Sequence, residues 1–272
     1  MTPEELIDAV SHHLPASGRL AVAYSGGVDS ATLLAIAVRV LGPSRVVGVM
    51  AVSASLAARE RAAALSVARG LGVSVVELET DEQSIPGYRA NDVDRCYYCK
   101  DEMFTVIDSS DLGVDAVAYG ENADDALRVD RPGAVAATEH SVLRPLASAG
   151  LTKDQVREVA RFLELPVADK PASPCLASRI PHGQEVTPEK LAQIEALELA
   201  LYELGFSDSR VRHHGSIARL ELPRAEMPLA LEHADEIQAA ALRAGFTYAA
   251  IDLKGIQSGA MTLSILNARG SL

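Results

Sequence analysis

The chain has 272 residues, 48% of them hydrophobic, enough to bury a sizeable core in one large domain or two smaller ones. A formal charge of −12, 4% aromatics and no Trp argue against the basic, base-stacking surface of most nucleic-acid binders. No apolar run reaches the roughly 18 residues that cross a bilayer, and the acidic, amphipathic start MTPEELIDAV is unlike a signal peptide, so a cytoplasmic protein with neither membrane nor nucleic-acid partners is expected.

Thr2-Pro3-Glu4-Glu5 fits a capping box and opens a helix. RLAVAYS (19–25) then reads as a buried strand, with a helix over 29–41 behind it. RVVGVMAV (45–52) and SVVELE (74–79) read as further strands, separated by a helix over 56–71. A helix over 99–110 leads to the strand AVAYG (116–120), and Thr152 with Gln155 fits a second capping box. Strands alternating with amphipathic helices predict an α/β fold, a parallel sheet covered by helices on both faces. Beyond about residue 180 the texture changes. Thr187-Pro188 starts a helix near 188–204, and SRVRHHGSIARLEL alternates like a strand pair turning at His214-Gly215. A helix near 228–244 and the strand TYAAIDL follow. The boundary is expected near Ile180-Pro181-His182-Gly183, giving a sheet domain over 1–180 and a smaller α+β domain over 181–272.

The strongest motif is AVAYSGGVDSATLL. A strand ends at Tyr24, and Ser25-Gly26-Gly27-Val28-Asp29-Ser30 runs straight into an apolar helix. Two glycines allow a tight turn and a close approach of backbone to an anion. The helix N-terminus behind them offers unpaired amides and a positive dipole end to phosphate. Ser25 and Ser30 add hydroxyl donors, and Asp29 is placed to cap the helix or hold magnesium. No Lys follows the glycines at the spacing of a Walker loop. Asp124 and Asp125, after the strand ending at Gly120, stand where α/β proteins place site residues and are candidates to orient a phosphate-bearing ligand or magnesium.

The three cysteines are Cys96 and Cys99 in RCYYCK and Cys175 in PASPCLASR. Thiolates are favoured by nearby cations, and Lys100, Lys170 and Arg179 are close in sequence. Three ligands do not close a structural zinc site, which wants four. They suit a 4Fe–4S cluster with one iron left open. Buried inert thiols, a Cys96–Cys99 disulfide, and zinc with His182 as fourth ligand stay open on the residues alone. In the tail, Arg210 and Arg212 share a strand face and suit a phosphate monoester. Arg219, Glu198 and Glu221 complete this charged set, while His213 and His214 read as turn and surface.

SGGxDS after a buried strand resembles the PP-loop of the ATP pyrophosphatases (adenine nucleotide alpha hydrolase-like), which cleave ATP to AMP and pyrophosphate. RCYYCK, YGENADD, DRPG (130–133), LPVADKPASPCLASRIPHG, RVRHHGSIARLEL and AAIDLKGIQSG together resemble the LarE-type ATP-dependent sulfur transferases of that superfamily. The resemblance covers most of the chain in family order. It implies adenylation of a carboxylate of a pyridinium biscarboxylate mononucleotide and its conversion to a thiocarboxylate, in building the nickel-pincer nucleotide cofactor. It further implies ATP with Mg2+ over Ser25, Gly26, Gly27, Asp29 and Ser30, with Asp125 and Arg131 beside them. Lys100 matches a position near the ATP phosphates. Ser178, Arg179, Glu198, Arg210, Arg212 and Glu221 match substrate- and phosphate-side positions. Some members consume the residue matching Cys175 as sulfur donor; others bind a cluster through residues matching Cys96, Cys99 and Cys175, and this chain has that pattern. A sulfide source and a homo-hexamer are implied as well. A tRNA thiolation enzyme, an ammonia-using synthetase and a non-catalytic nucleotide binder are the rival readings.

Overall fold

In chain order the computed structural model, described over residues 1–127 and 132–256, begins with α1 (Pro3–Ser11), β1 (Leu20–Ala23), α2 (Val28–Leu41) and β2 (Val46–Val52). Next come α3 (Ala58–Gly70), β3 (Val75–Glu79), α4 (Pro86–Arg89), α5 (Arg95–Ser109) and β4 (Ala116–Tyr119). Four helices follow, α6 (Ala123–Ala126), α7 (Pro132–Glu139), α8 (Pro145–Ser148) and α9 (Lys153–Phe162). The tail holds α10 (Pro188–Glu203), β5 (Arg210–His214), β6 (Ile217–Glu221), α11 (Met227–Glu232), α12 (Ala234–Arg243) and β7 (Tyr248–Ile251). Two compact units result: 1–85 with 94–173, and 86–93 with 174 onward. The Cys175 loop therefore goes with the second unit, and so does the octapeptide 86–93.

In the first unit the sheet is wholly parallel, in the order β3-β2-β1-β4. Its central strand LAVA is buried along its whole length. Leu20 and Val22 point into a core with α1, α2 and α9, while Ala21 and Ala23 point into another with Phe104 and Ile107 of α5 and Ala136 of α7. Burial on both faces is why the strand reads as a continuous apolar run rather than an alternation. Both expected capping boxes form, Thr2 with Glu5 and Thr152 with Gln155. The helix expected from residue 99 starts at Arg95 instead, so RCYYCK lies on α5. That start carries no side-chain cap, and Cys and Tyr are middling helix formers, so the sequence does not announce it.

In the second unit β5 and β6 pair antiparallel and β7 adds parallel to β6. Val211 and Leu220 face the core formed with Leu191, Ile194 and Leu197 of α10 and Ala241 of α12. The single helix expected near 228–244 is two, because His233 at φ −97 and ψ 25 leaves the helical region between α11 and α12. His213 is no surface residue: it is buried, its Nε2 3.0 Å from Oε1 of Gln193 and its ring against Phe246. His214 is exposed at the turn.

Candidate active site

The chain reverses its direction of sheet building between β1 and β4, and open parallel sheets bind ligands at such a switch point, beyond the strand C-termini. Both strands end here in the motifs singled out above. Gly26 takes φ 73, and a Cβ on it would lie 2.3 Å from that of Ala64 in α3. Only glycine fits. Gly27 caps α2 with its backbone alone, leaving the first amides of that helix without intrahelical acceptors. Ser30 Oγ donates to the Gly27 carbonyl at 3.1 Å and lies 3.2 Å from Ser25 Oγ, which stiffens the loop. From the other strand, Gly120 packs so closely that a Cβ would come 2.7 Å from the Ser30 nitrogen.

Asp29 is the hub. Its Oδ1 accepts from Asn122 Nδ2 at 3.3 Å and its Oδ2 from Lys153 Nζ at 2.5 Å. Asn122 also caps α6 by accepting the Asp125 amide, and its Nδ2 donates to Asp125 Oδ2, each at 3.0 Å. Asp124 accepts the Lys153 amide at 2.7 Å, which ties α9 to the loop after β4. The structure thus brings Ser25 to Ser30 together with Asp124 and Asp125, and adds Asn122 and Lys153. Lys153 was missed by sequence reasoning because it lies far along the chain. One signal was available: a lysine on the first turn of a helix sits at the wrong end of the dipole, which asks for a nearby anion. Asp29 and Asp125 are the carboxylates that fit magnesium, which takes one or two carboxylates and completes its shell with water and phosphate.

Lys100, on α5, places its Nζ 4.0 Å from the centroid of the Tyr119 ring at the end of β4. Cys96 and Cys99 lie one turn apart on that helix and share a face. Cys96 and Cys175 are exposed and Cys99 is half-buried, so three buried inert thiols are excluded. Among the described residues, no group of three or more His, Cys, Asp or Glu side chains is arranged to hold a metal ion. Arg131 lies outside the described residues.

The second unit gathers the charged set of the tail. Arg210, Arg212, Arg219 and Glu221 occupy one sheet face, and the register sets Arg212 directly opposite Arg219. Like charges across a strand pair repel. Glu221 offsets this by taking Arg212 Nη2 at 2.8 Å on one oxygen and Arg219 Nη2 at 3.2 Å on the other. Arg219 also pairs with Asp252, and Arg210 with Asp208. Arg212 Nη1 donates to the Ser178 carbonyl at 2.8 Å, while its buried Nε has no hydrogen-bond partner among the described residues. The Arg179 guanidinium is buried and bonded to Glu198 and the Cys175 loop. Although His214 is exposed at the turn, partial desolvation of its ring, then the cations Arg219 and Arg212, push its pKa below the ordinary value.

The family described as asparagine synthase matches residues 2–114, the stretch containing the Ser-Gly-Gly loop. A pyridinium-3,5-bisthiocarboxylic acid mononucleotide synthase of Lactiplantibacillus plantarum is 35% identical over 92% of this chain and 91% of its own length. The chain belongs to the LarE-type family of PP-loop proteins. It is therefore an ATP-dependent sulfurtransferase, working with ATP and magnesium. An uncharacterized Synechocystis protein, slr1717, is 40% identical over 89% of this chain and 91% of its own. The uncharacterized MJ0830 of Methanocaldococcus jannaschii is 27% identical over 75% and 77%. No helix among the described residues is long and apolar enough to cross a membrane.

Proposed function

We propose that this LarE-type protein adenylates a carboxylate of a pyridinium biscarboxylate mononucleotide and converts it to a thiocarboxylate. The observation that carries the reading is the Ser25–Ser30 loop braced at the switch point by Asp29, Asn122 and Lys153, in a chain closely related to a synthase of that class of nucleotide. The amides of the first turn of α2 and the hydroxyls of Ser25 and Ser30 donate to phosphate. Asp29 and Asp125 would hold magnesium, which would neutralise phosphate charge, and Lys100 and Lys153 offset charge on the departing pyrophosphate. The substrate carboxylate oxygen bonds to the α-phosphorus as the bond to pyrophosphate breaks. Hydrosulfide then attacks the acyl carbon, AMP leaves with the carboxyl oxygen, and a proton is released.

For the sulfur source, the donor set favours a 4Fe–4S cluster. Cys96 and Cys99 share a helix face, Cys175 is exposed, and no fourth cysteine exists in the chain to close the cage. Such a cluster would supply iron-bound hydrosulfide from an external sulfide source, so that no cysteine is destroyed. A reducing compartment such as the cytoplasm suits thiols kept available for iron. The second unit contributes Ser178, Arg210, Arg212 and Glu221 to recognition of the substrate phosphate, and it builds a homo-hexamer.

Anaerobic turnover of the biscarboxylate mononucleotide with ATP, magnesium and sulfide tests this. The expected result is one AMP and one pyrophosphate per oxygen-for-sulfur exchange, repeated many times and lost in each single Cys→Ala variant. Dehydroalanine at position 175 in one-to-one proportion with product would replace the cluster by a consumed cysteine. Amide formation from ammonia would instead move the protein among the ammonia-using synthetases.

A further inference from the structure

The loop that carries Cys175 is anchored from within by a guanidinium that solvent scarcely reaches. The Arg179 side chain is 3% exposed. Its Nε and Nη2 donate to the two oxygens of Glu198 at 2.8 and 3.2 Å, a bidentate pair. Its Nη1 donates to the Pro174 carbonyl at 2.8 Å and to Ser178 Oγ at 3.0 Å, with the Cys175 carbonyl at 3.5 Å. Of the five N–H groups a guanidinium carries, these bonds leave little to offer a phosphate. Glu198 is engaged elsewhere too, since its Oε1 accepts the Val211 amide at 2.9 Å. One ion pair therefore fixes α10, the start of β5 and the backbone on both sides of Cys175.

We propose that Arg179 and Glu198 are positioning residues rather than phosphate ligands: they hold the Cys175 backbone so that the thiol projects outward in one geometry. Stability alone is a poor reason for the pair. A buried ion pair carries a desolvation cost, and apolar replacements of similar volume are often as stable or more so. Carbonyls of a surface loop could equally be left to water. What the pair achieves is a fixed loop beneath an exposed thiol, and a displacement of about 1 Å at a reacting atom is enough to cost about 100-fold in rate.

This inference rests on the functional reading of Cys175, and the test separates the two. The full-length reduced chain and its Arg179→Lys and Glu198→Gln variants are labelled with iodoacetamide, and labelling of Cys175 is compared with that of Cys96 by peptide mass. Affinity for nicotinate mononucleotide is measured by calorimetry, and kcat and KM for thiocarboxylate formation are determined. Each variant is expected to change the Cys175 labelling rate severalfold with Cys96 unaltered, and to lower kcat about 100-fold with KM and probe affinity preserved. Loss of probe affinity with unchanged Cys175 labelling would make Arg179 a phosphate ligand and overturn the proposal. Equal changes at Cys96 and Cys175 would overturn it in favour of a general loss of structure. Should Arg179→Lys fail to fold, Glu198→Gln, which keeps shape and one acceptor, delivers the same readings. Full turnover by Cys175→Ala would remove the underlying reading, whatever the labelling shows.

Discussion

At the residue scale the clearest contrast is between Asp29 and the lysine that meets it. Asp29 announces itself, because it stands in SGGVDS between a buried strand and an apolar helix. Lys153 reaches its carboxylate only through the fold, with its amide on Asp124 and its Nζ on Asp29 Oδ2. Asp29→Ala and Lys100→Ala are expected to abolish pyrophosphate release at saturating ATP and substrate while the melting temperature stays near that of the wild type. A rate equal to the wild type in either variant would take that residue out of the mechanism. For Lys153→Met we expect release about 100-fold slower, the usual loss when one preorganised group facing developing charge is deleted. Single-turnover kinetics with the substrate held saturating would measure it. Arg179 teaches the opposite lesson. Its position four residues after Cys175 made it a cation beside the thiol and the family resemblance a substrate-side contact, yet only the buried partners Glu198 and Pro174 show where its donors go.

Among elements, the parallel sheet was legible because LAVA, VVGVMAV and AVAY are short apolar runs and VVELE alternates, with helices between them. The two capping boxes were legible because their chemistry is local. The start of α5 and the break at His233 were not, since neither depends on a cap that the sequence can display. The packing of α7 on α5 also left no pattern in the sequence, and across it His140 reaches Asp108 at 2.7 Å and Asp101 at 3.0 Å. Burial lowers the His140 pKa, but the hydrogen bonds to Asp108 and Asp101 outweigh it, and the net shift is upward. A histidine whose folded pKa is raised stabilises fully below its unfolded value of about 6.5 and loses that contribution as pH rises through the folded value. His140→Ala should therefore lower the melting temperature more at pH near 5.5 than at pH near 9, by roughly the scale of an exposed-to-half-buried ion pair, under about 1 kcal/mol. A melting difference that stays constant between these pH values would show that the imidazole acts by packing alone, and one that grows with pH would overturn the upward shift.

At the scale of the whole molecule, assembly is the least legible property. The apolar strand candidates lie near 248–252, where β7 forms the sheet edge, and near 262–266, which falls outside the described residues. The number six comes from family membership. Light scattering at working concentration is expected to give a hexamer, and a monomer would refute it. The division into units was also only partly readable, because the octapeptide 86–93 joins the second unit across a long stretch of chain. Within it Asn91, at φ 55, brings Nδ2 within 3.2, 2.9 and 3.0 Å of the carbonyls of Ile180, Pro181 and Gln184. Asn91→Gly keeps that backbone conformation accessible and removes the donor, so it should cost about 1–3 kcal/mol of stability, readable by urea unfolding. This arrangement also bears on heredity. A single crossover between two related genes near Ser173 would not swap the second unit whole: it would leave Asn91 from one parent holding a turn inherited from the other. Main-chain carbonyls look alike in every parent, so the bonds made by Asn91 tolerate such an exchange as long as position 91 keeps its amide, while the buried Tyr88 ring must still fit a core of the other parent.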